Sequence, residues 1–216
     1  YLRGDRADTA MNSRLRDAVI GLLTPGPFDA KGFADSGRQL SMTEFASRIS
    51  SIREDYPDAA YYSAMNLLDS HDTVRLLWAL TPGNATTADK EGNSANLSTG
   101  KQMQKIASLL QFTLPGAPTI YYGDEVGMTG DTDPDDRRTF PWVDNGGTPD
   151  MDLFAHYQLL ADLRSQTPSL VNGDLHILLA DDANQLVAYG RKTSGDAAIV
   201  VINRSDNPQT AVLTTT

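Results

Sequence analysis

The chain has 216 residues, 40% of them hydrophobic, a formal net charge of −10 and no cysteine. That is enough apolar material for one sizeable core. The acidic balance opposes a nucleic-acid backbone or an anionic membrane as partner, so a neutral ligand is the easier fit. Without cysteine there is neither a disulfide framework nor a thiolate metal site, and the compartment stays open. No apolar run approaches the roughly 20 residues of a membrane span, and no basic-then-apolar leader precedes the first helix. The first residue is Tyr1 rather than Met, and further sequence upstream is expected.

A weak strand is expected near Ala7 to Met11, followed by a helix from about Ser13 whose Leu15, Ala18, Val19, Leu22 and Leu23 share one face. Thr24-Pro25-Gly26-Pro27 stops it. Ser41-x-x-Glu44 has the pattern of a capping box and opens a helix with Phe45, Ile49 and Ile52 on one stripe, ended by Pro57. Tyr62 to Leu68 reads as a buried strand running into the polar segment Asp69-Ser70-His71-Asp72-Thr73. A polar insert from Thr81 to Gly100 precedes a helix carrying Met103, Ile106, Leu109 and Leu110, closed by Leu114-Pro115-Gly116. Pro118 to Tyr122 is the next predicted strand. It leads through Asp124, Glu125 and a long acidic loop to Pro141-Trp142, then to a helix with Leu153, Phe154, Tyr157 and Leu160. Beyond Pro168 the texture changes to short strands at 175–179, 186–189, 197–202 and 210–213, separated by turn residues, as in a small antiparallel β domain.

Alternating strands and helices imply a parallel sheet, and polar residues massed just after each strand are what a β/α barrel places at its active-site face. About three units are visible, whereas a closed barrel needs eight. The expected architecture is therefore α/β: the last three strand-helix units of a (β/α)8 TIM barrel over residues 1–168, then part of an antiparallel β domain over 169–216. A smaller, different α/β fold is the alternative.

Met65-Asn66-Leu67-Leu68-Asp69-Ser70-His71-Asp72-Thr73 resembles the motif after barrel strand seven of the alpha-amylase family, glycoside hydrolase family thirteen. Leu114-Pro115-Gly116-Ala117-Pro118-Thr119-Ile120-Tyr121-Tyr122-Gly123-Asp124-Glu125 resembles that family's strand-eight motif, with Asp133-Pro134-x-x-Arg137 behind it. The run through Val126-Gly127-Met128 to Phe140-Pro141-Trp142 is closest in style to neopullulanases and cyclomaltodextrinases. The resemblance spans roughly Tyr1 to Arg164 and implies a retaining enzyme cleaving α-glucosidic bonds of starch-like glucans.

By that resemblance Asp72 takes the role of the third catalytic carboxylate and His71 that of a ligand to a sugar hydroxyl. Asp133 and Arg137 match the pair that grips the next sugar. The family's nucleophilic aspartate and acid/base glutamate have no counterpart motifs in these 216 residues. The chain alone is therefore expected to be inactive, to depend on an upstream part of the same enzyme, and to self-associate through its open sheet. No cofactor and no metal are expected. The chemistry fits: retaining cleavage needs two carboxyls about 5–5.5 Å apart, and a third helps by holding ring hydroxyls as the sugar flattens. Tyr122 and Trp142 are candidates to pave a sugar path, with burial in the core the stronger expectation.

Two further readings belong beside this one: transglycosylation, in which another sugar resolves the covalent intermediate, and a non-catalytic carbohydrate-binding or assembly member of the family. Other motifs carry little. A metal-dependent phosphohydrolase reading of His71-Asp72 lacks ligands, since His156 and His176 lie in a helix and in the β segment. Asp131-x-Asp133-x-Asp135 begins like a calcium loop, but its sixth position is Asp136 and its twelfth Trp142. The segment from Ala95 to Gln102 fails as a phosphate loop at both ends. Asn84, Asn96 and Asn203 head glycosylation sequons, and Arg3-Gly4-Asp5 is a coincidental adhesion tripeptide.

Overall fold

A computed structural model describes residues 7–24 and 26–213; the tripeptide Arg3-Gly4-Asp5 and Pro25 lie outside them. The first helix, α1 (Ser13–Leu23), starts where the Asn12 side chain accepts from the Leu15 N–H, and it buries nearly its whole length. α2 (Met42–Asp55) has the full capping box: Glu44 N donates to Ser41 Oγ at 3.2 Å, and Ser41 N donates to Glu44 Oε2 at 2.9 Å.

The strand expected from Tyr62 is much shorter. Pro57 and Asp58 instead start a short helix, α3 (Asp58–Ser63), since proline suits a helix start and an acid suits its first turn. Only Met65–Asn66 is strand, β1. Similarly β2 is Ala117–Pro118 and not Pro118 to Tyr122, because Gly123 at φ 92° turns the chain away soon after. Between them, α4 (Leu76–Leu80) is followed by one π turn at Ala88–Gly92. The polar insert then ends earlier than expected, because Asn93 accepts from the N–H groups of Ala95 and Asn96 and so starts α5 (Ser94–Thr113) inside it.

β1 pairs with β2 in parallel, Met65 opposite Ala117, and Met11 makes an isolated parallel bridge to Met65. The weak strand expected near Ala7 to Met11 reduces to that bridge. Four backbone bonds hold the sheet: Met65 N to Ala10 O, Asn12 N to Met65 O, Ala117 N to Ala64 O and Thr119 N to Asn66 O, all between 2.7 and 3.1 Å. Asn66 is its buried pivot. Its Oδ1 accepts from Asn12 Nδ2, its Nδ2 donates to Pro115 O, and its carbonyl accepts from Gln111 Nε2. Gly116, at φ +120°, lies so close that a Cβ there would sit 2.5 Å from Asn66 Oδ1.

α6 (Met151–Gln166) is capped by Asp150 and followed by α7 (Pro168–Asn172). The three antiparallel strands β3 (Asp174–Asp181), β4 (Leu186–Lys192) and β5 (Ala197–Asn203) form one sheet in that order. They are longer than predicted, with a bulge between Ile177 and Leu179. The stretch 210–213 is irregular instead of a strand. Val187, Tyr189, Val200 and Ile202 on this sheet join the same buried cluster as Leu15, Leu22, Phe45 and Ile49 on α1 and α2. Tyr189 OH also meets Thr113 Oγ1 at 2.6 Å, and Arg191 Nη1 donates to Thr113 O at 2.6 Å.

Candidate active site

The polar residues that follow β1 and β2 gather on the same end of the parallel sheet. The loop from Asp69 to Arg75 is a closed turn: Thr73 N bonds Ser70 O, Ser70 N bonds Thr73 Oγ1, and Asp72 N bonds Ser70 Oγ. Asp69 spans its base, because Asp69 Oδ2 accepts from Leu76 N, seven residues on, at 2.8 Å. His71 and Asp72 project from the top into solvent, with His71 Nε2 3.3 Å from Asp72 Oδ1. The loop after β2 reaches them through Arg137, whose Nη2 donates to His71 O at 3.0 Å while its Nε donates to Asp133 Oδ1 at 3.0 Å. The structure thus brings all four residues singled out from sequence into one cluster.

Beneath them lies a buried layer to which the sequence assigned no role. Asp69 and Asp124 are each 2% exposed, and the Oδ1 atom of each has no hydrogen-bond partner among the described residues. Burial pushes both carboxyls up from the ordinary aspartate value, Asp124 further because it also faces the charge of Asp69. Arg75, fully buried, sits 3.8 Å from Asp124 Oδ1, donates from Nη1 to Tyr122 O at 2.7 Å, and lies over the rings of Tyr121 and Tyr122 at 4.5 and 4.6 Å. Its backbone N–H reaches Gly130 O, and Gln104 Nε2 donates to Asp124 O from α5. The available signal was an acid ending each apolar run, Leu67-Leu68-Asp69 and Tyr121-Tyr122-Gly123-Asp124. That pattern does not say that both acids are buried.

The expectation that Tyr122 and Trp142 are core residues is corrected. Tyr122 is 41% exposed, its hydroxyl donating to Arg138 O, and Trp142 is 58% exposed with its ring 4.5 Å from Phe140. Neither has a buried slot: the underside of Tyr122 is taken by the Arg75 guanidinium, and Trp142 rests on its neighbour's ring. Arg138 itself bridges Asp135 and Glu91, with bonds of 2.6 and 2.7 Å, and forms one wall of an open cleft of about 320 Å³ with Met128, Thr129, Thr139 and Pro141. His156 Nε2 contacts Lys105 O, and burial lowers its pKa. His176 is on β3 opposite Gly190. Among the described residues no three His, Cys, Asp or Glu side chains converge as metal ligands, and no helix is long and apolar enough to cross a membrane.

Carboxylate, imidazole and guanidinium groups clustered on loops that leave the C-terminal ends of parallel strands define a strand-end site of the β/α-barrel kind. The chain belongs to the alpha-amylase family: the model of its catalytic domain matches residues 1–151. The amylopullulanase of Thermoanaerobacter thermohydrosulfuricus is 37% identical over 99% of this chain, which covers 15% of that protein. A cyclomaltodextrinase of Geobacillus thermopakistaniensis is 34% identical over 95% of this chain and 30% of the relative. Among solved structures, the debranching enzyme of Nostoc punctiforme superposes with a TM-score of 0.72 at 28% identity, over 94% of this chain and 38% of that one. The chain therefore spans less than a third of the curated relatives it matches.

Proposed function

We propose that this chain is part of a retaining α-glucan hydrolase of the neopullulanase and cyclomaltodextrinase kind, and that it supplies the third catalytic carboxylate but neither nucleophile nor general acid. In this reading residues 1–168 are the last three strand-helix units of a (β/α)8 barrel and residues 169–216 belong to a C-terminal β domain. Three parallel segments in the order of Met11, β1 and β2 are what such a fragment contains. Met11, Met65 and Ile120 lie exposed on or beside them, the apolar surface that the rest of a barrel covers. The printed names of the relatives, amylopullulanase and cyclomaltodextrinase among them, support an α-glucan as substrate.

The observation that carries the reading is the bond from Arg137 to His71 O with Asp133 on the same guanidinium. It joins the two strand-end loops and leaves Asp72 and His71 free to meet sugar hydroxyls. Asp72 acts by accepting hydrogen bonds from ring hydroxyls that strengthen as the sugar approaches an oxocarbenium-like geometry. His71 binds a neighbouring hydroxyl. Arg137 and Asp133 hold the adjoining sugar in both ground and transition states, which lowers KM more than it raises kcat. In the complete enzyme Asp72→Asn is expected to lower kcat by about a hundredfold or more with a smaller change in substrate binding. Arg137→Ala is expected mainly to raise KM. The reverse pattern contradicts the assignment.

A further inference from the structure

Arg137 stands on weak local structure. It ends a single 3-10 turn, Asp135–Arg137, in which its own N–H bonds Pro134 O at 3.1 Å. One such turn has poor hydrogen-bond geometry, so the direction of the side chain it carries depends on what fixes its flank. The fixing group is the next residue. Arg138 forks onto Asp135, Nε to Oδ1 at 2.7 Å and Nη2 to Oδ2 at 2.6 Å, and its carbonyl accepts from Tyr122 OH at 2.8 Å. A further bond leaves the loop altogether: Arg138 Nη1 donates to Glu91 Oε1 at 2.7 Å. Glu91 belongs to the polar insert between β1 and β2, on the π turn Ala88–Gly92, and the proposed chemistry makes no use of it. The insert is well held. Asp89 Oδ2 accepts from both the N–H and the Nδ2 of Asn84, and Asn96 Nδ2 donates to Asp89 O from the first turn of α5. Lys90, 8% exposed, turns its ammonium inward to Thr81 O, while Glu91 reaches out to Arg138. The Glu91 and Arg138 side chains are 24% and 35% exposed, so solvent and salt screen this pair less than a pair on the open surface.

We propose that Glu91 is a positioning residue for substrate binding: through Arg138 it clamps the turn that presents Arg137 and Asp133, and so sets the affinity for the sugar next to the one cleaved. The two strand-end loops are then tied twice, by Arg137 to His71 O and by Arg138 to Glu91. The first tie aims the guanidinium, and the second holds the backbone that carries it. Glu91 itself touches no substrate. Because Arg137 and Asp133 grip that sugar in the ground state as well as the transition state, loosening them falls on KM and spares kcat. It also falls only on substrates that possess such a sugar, which makes Glu91 a determinant of the preference for longer glucans over single-sugar glucosides.

The clamp rests on the reading of Arg137 and Asp133 as sugar ligands, and its test separates the two ideas. In the complete enzyme, Glu91→Ala, Glu91→Gln and Arg137→Ala are compared on maltotetraose and on p-nitrophenyl α-glucoside, which carries one sugar. Glu91→Ala is expected to raise KM for maltotetraose by about three- to fivefold, the loss of one partly shielded ion pair, and to leave kcat and the aryl glucoside constants unchanged. Glu91→Gln keeps an acceptor for Arg138 Nη1 and is expected to recover much of the loss. In the present chain, the Arg137 Nε–H signal in nitrogen-15 spectra, held by its bond to Asp133, is expected to broaden in Glu91→Ala and to stay narrow in Glu91→Gln. A raised KM from Arg137→Ala with none from Glu91→Ala overturns the clamp alone. An unchanged KM from Arg137→Ala overturns the reading of the site, and the clamp with it. Equal losses on both substrates overturn the proposal as well, because Glu91 would then merely support the fold.

Discussion

The parallel and antiparallel sheets of this molecule are built on opposite terms. β3, β4 and β5 run seven or eight residues each and pair along their full length with sequence neighbours. β1 and β2 are two residues each, separated by fifty residues of chain, and Met11 adds a single bridge. Most side-chain polar atoms left without a partner among the described residues belong to the second region: Arg16, Asp69, Arg75, Gln104, Asp124, Thr129 and Asp136. Hairpins close on local sequence, whereas parallel strands depend on crossovers and on partners far along the chain. The antiparallel sheet pairs through local hairpins, whereas the parallel sheet is held by four backbone bonds and the buried Asn66 side chain.

That difference is breakable at several places. The largest effect is expected from Tyr189→Ala, which removes a fully buried ring from the cluster shared by both regions. A loss of about 3–5 kcal/mol is expected in denaturant titrations, with both regions unfolding together. Separate transitions would show that the two sheets are energetically independent. Gly116→Ala strikes only the parallel side, through a positive φ and the clash with Asn66, and is expected to remove more than about 1 kcal/mol. Ser41→Ala deletes half of the capping box at α2, for about 1 kcal/mol by the same assay.

A smaller and pH-dependent effect is expected at Glu44. The hydrogen bond from Arg38, and after it the Ser41 N–H, hold its carboxyl down from the usual 4.5 to about 2. A depressed carboxylate stabilises the fold above its unfolded pKa and ceases to do so as pH falls through its folded value. Glu44→Gln should therefore flatten part of the loss of stability between about pH 4.5 and 2, leaving the variant less stable than the wild type at pH 7 and level with it at the acid end. An unchanged acid profile would show that the exposed pair is screened to nothing.

Much of this was legible in the sequence where local chemistry decides. The capping box at Ser41, the α1 face and the hairpins of β3 to β5 follow from caps, periodicity and turn residues within a few positions of one another. The convergence of His71, Asp133 and Arg137 was implied by the family motifs. The short parallel strands were overestimated because an apolar run such as Tyr62 to Leu68 has the same appearance in a helix end, a strand and a loop. Tyr122 and Trp142 were expected inside because their size favours burial, yet Arg75 and Phe140 occupy the space beneath them. The burial of Asp69 and Asp124 was illegible because each acid alone looks like an ordinary loop residue, and only the fold takes both out of solvent.

The central claim is that these residues carry one share of a divided active site. Reducing-sugar release from maltooligosaccharides by the purified chain, alone and mixed with a separately produced upstream part, tests it most directly, with Asp72→Ala run in parallel. No turnover from the chain alone, turnover from the mixture, and its loss with Asp72→Ala are the predicted results. Turnover by the chain alone that survives purification and vanishes in the Asp72→Ala control would contradict the account, because carboxylates within these 216 residues would then perform the covalent step themselves.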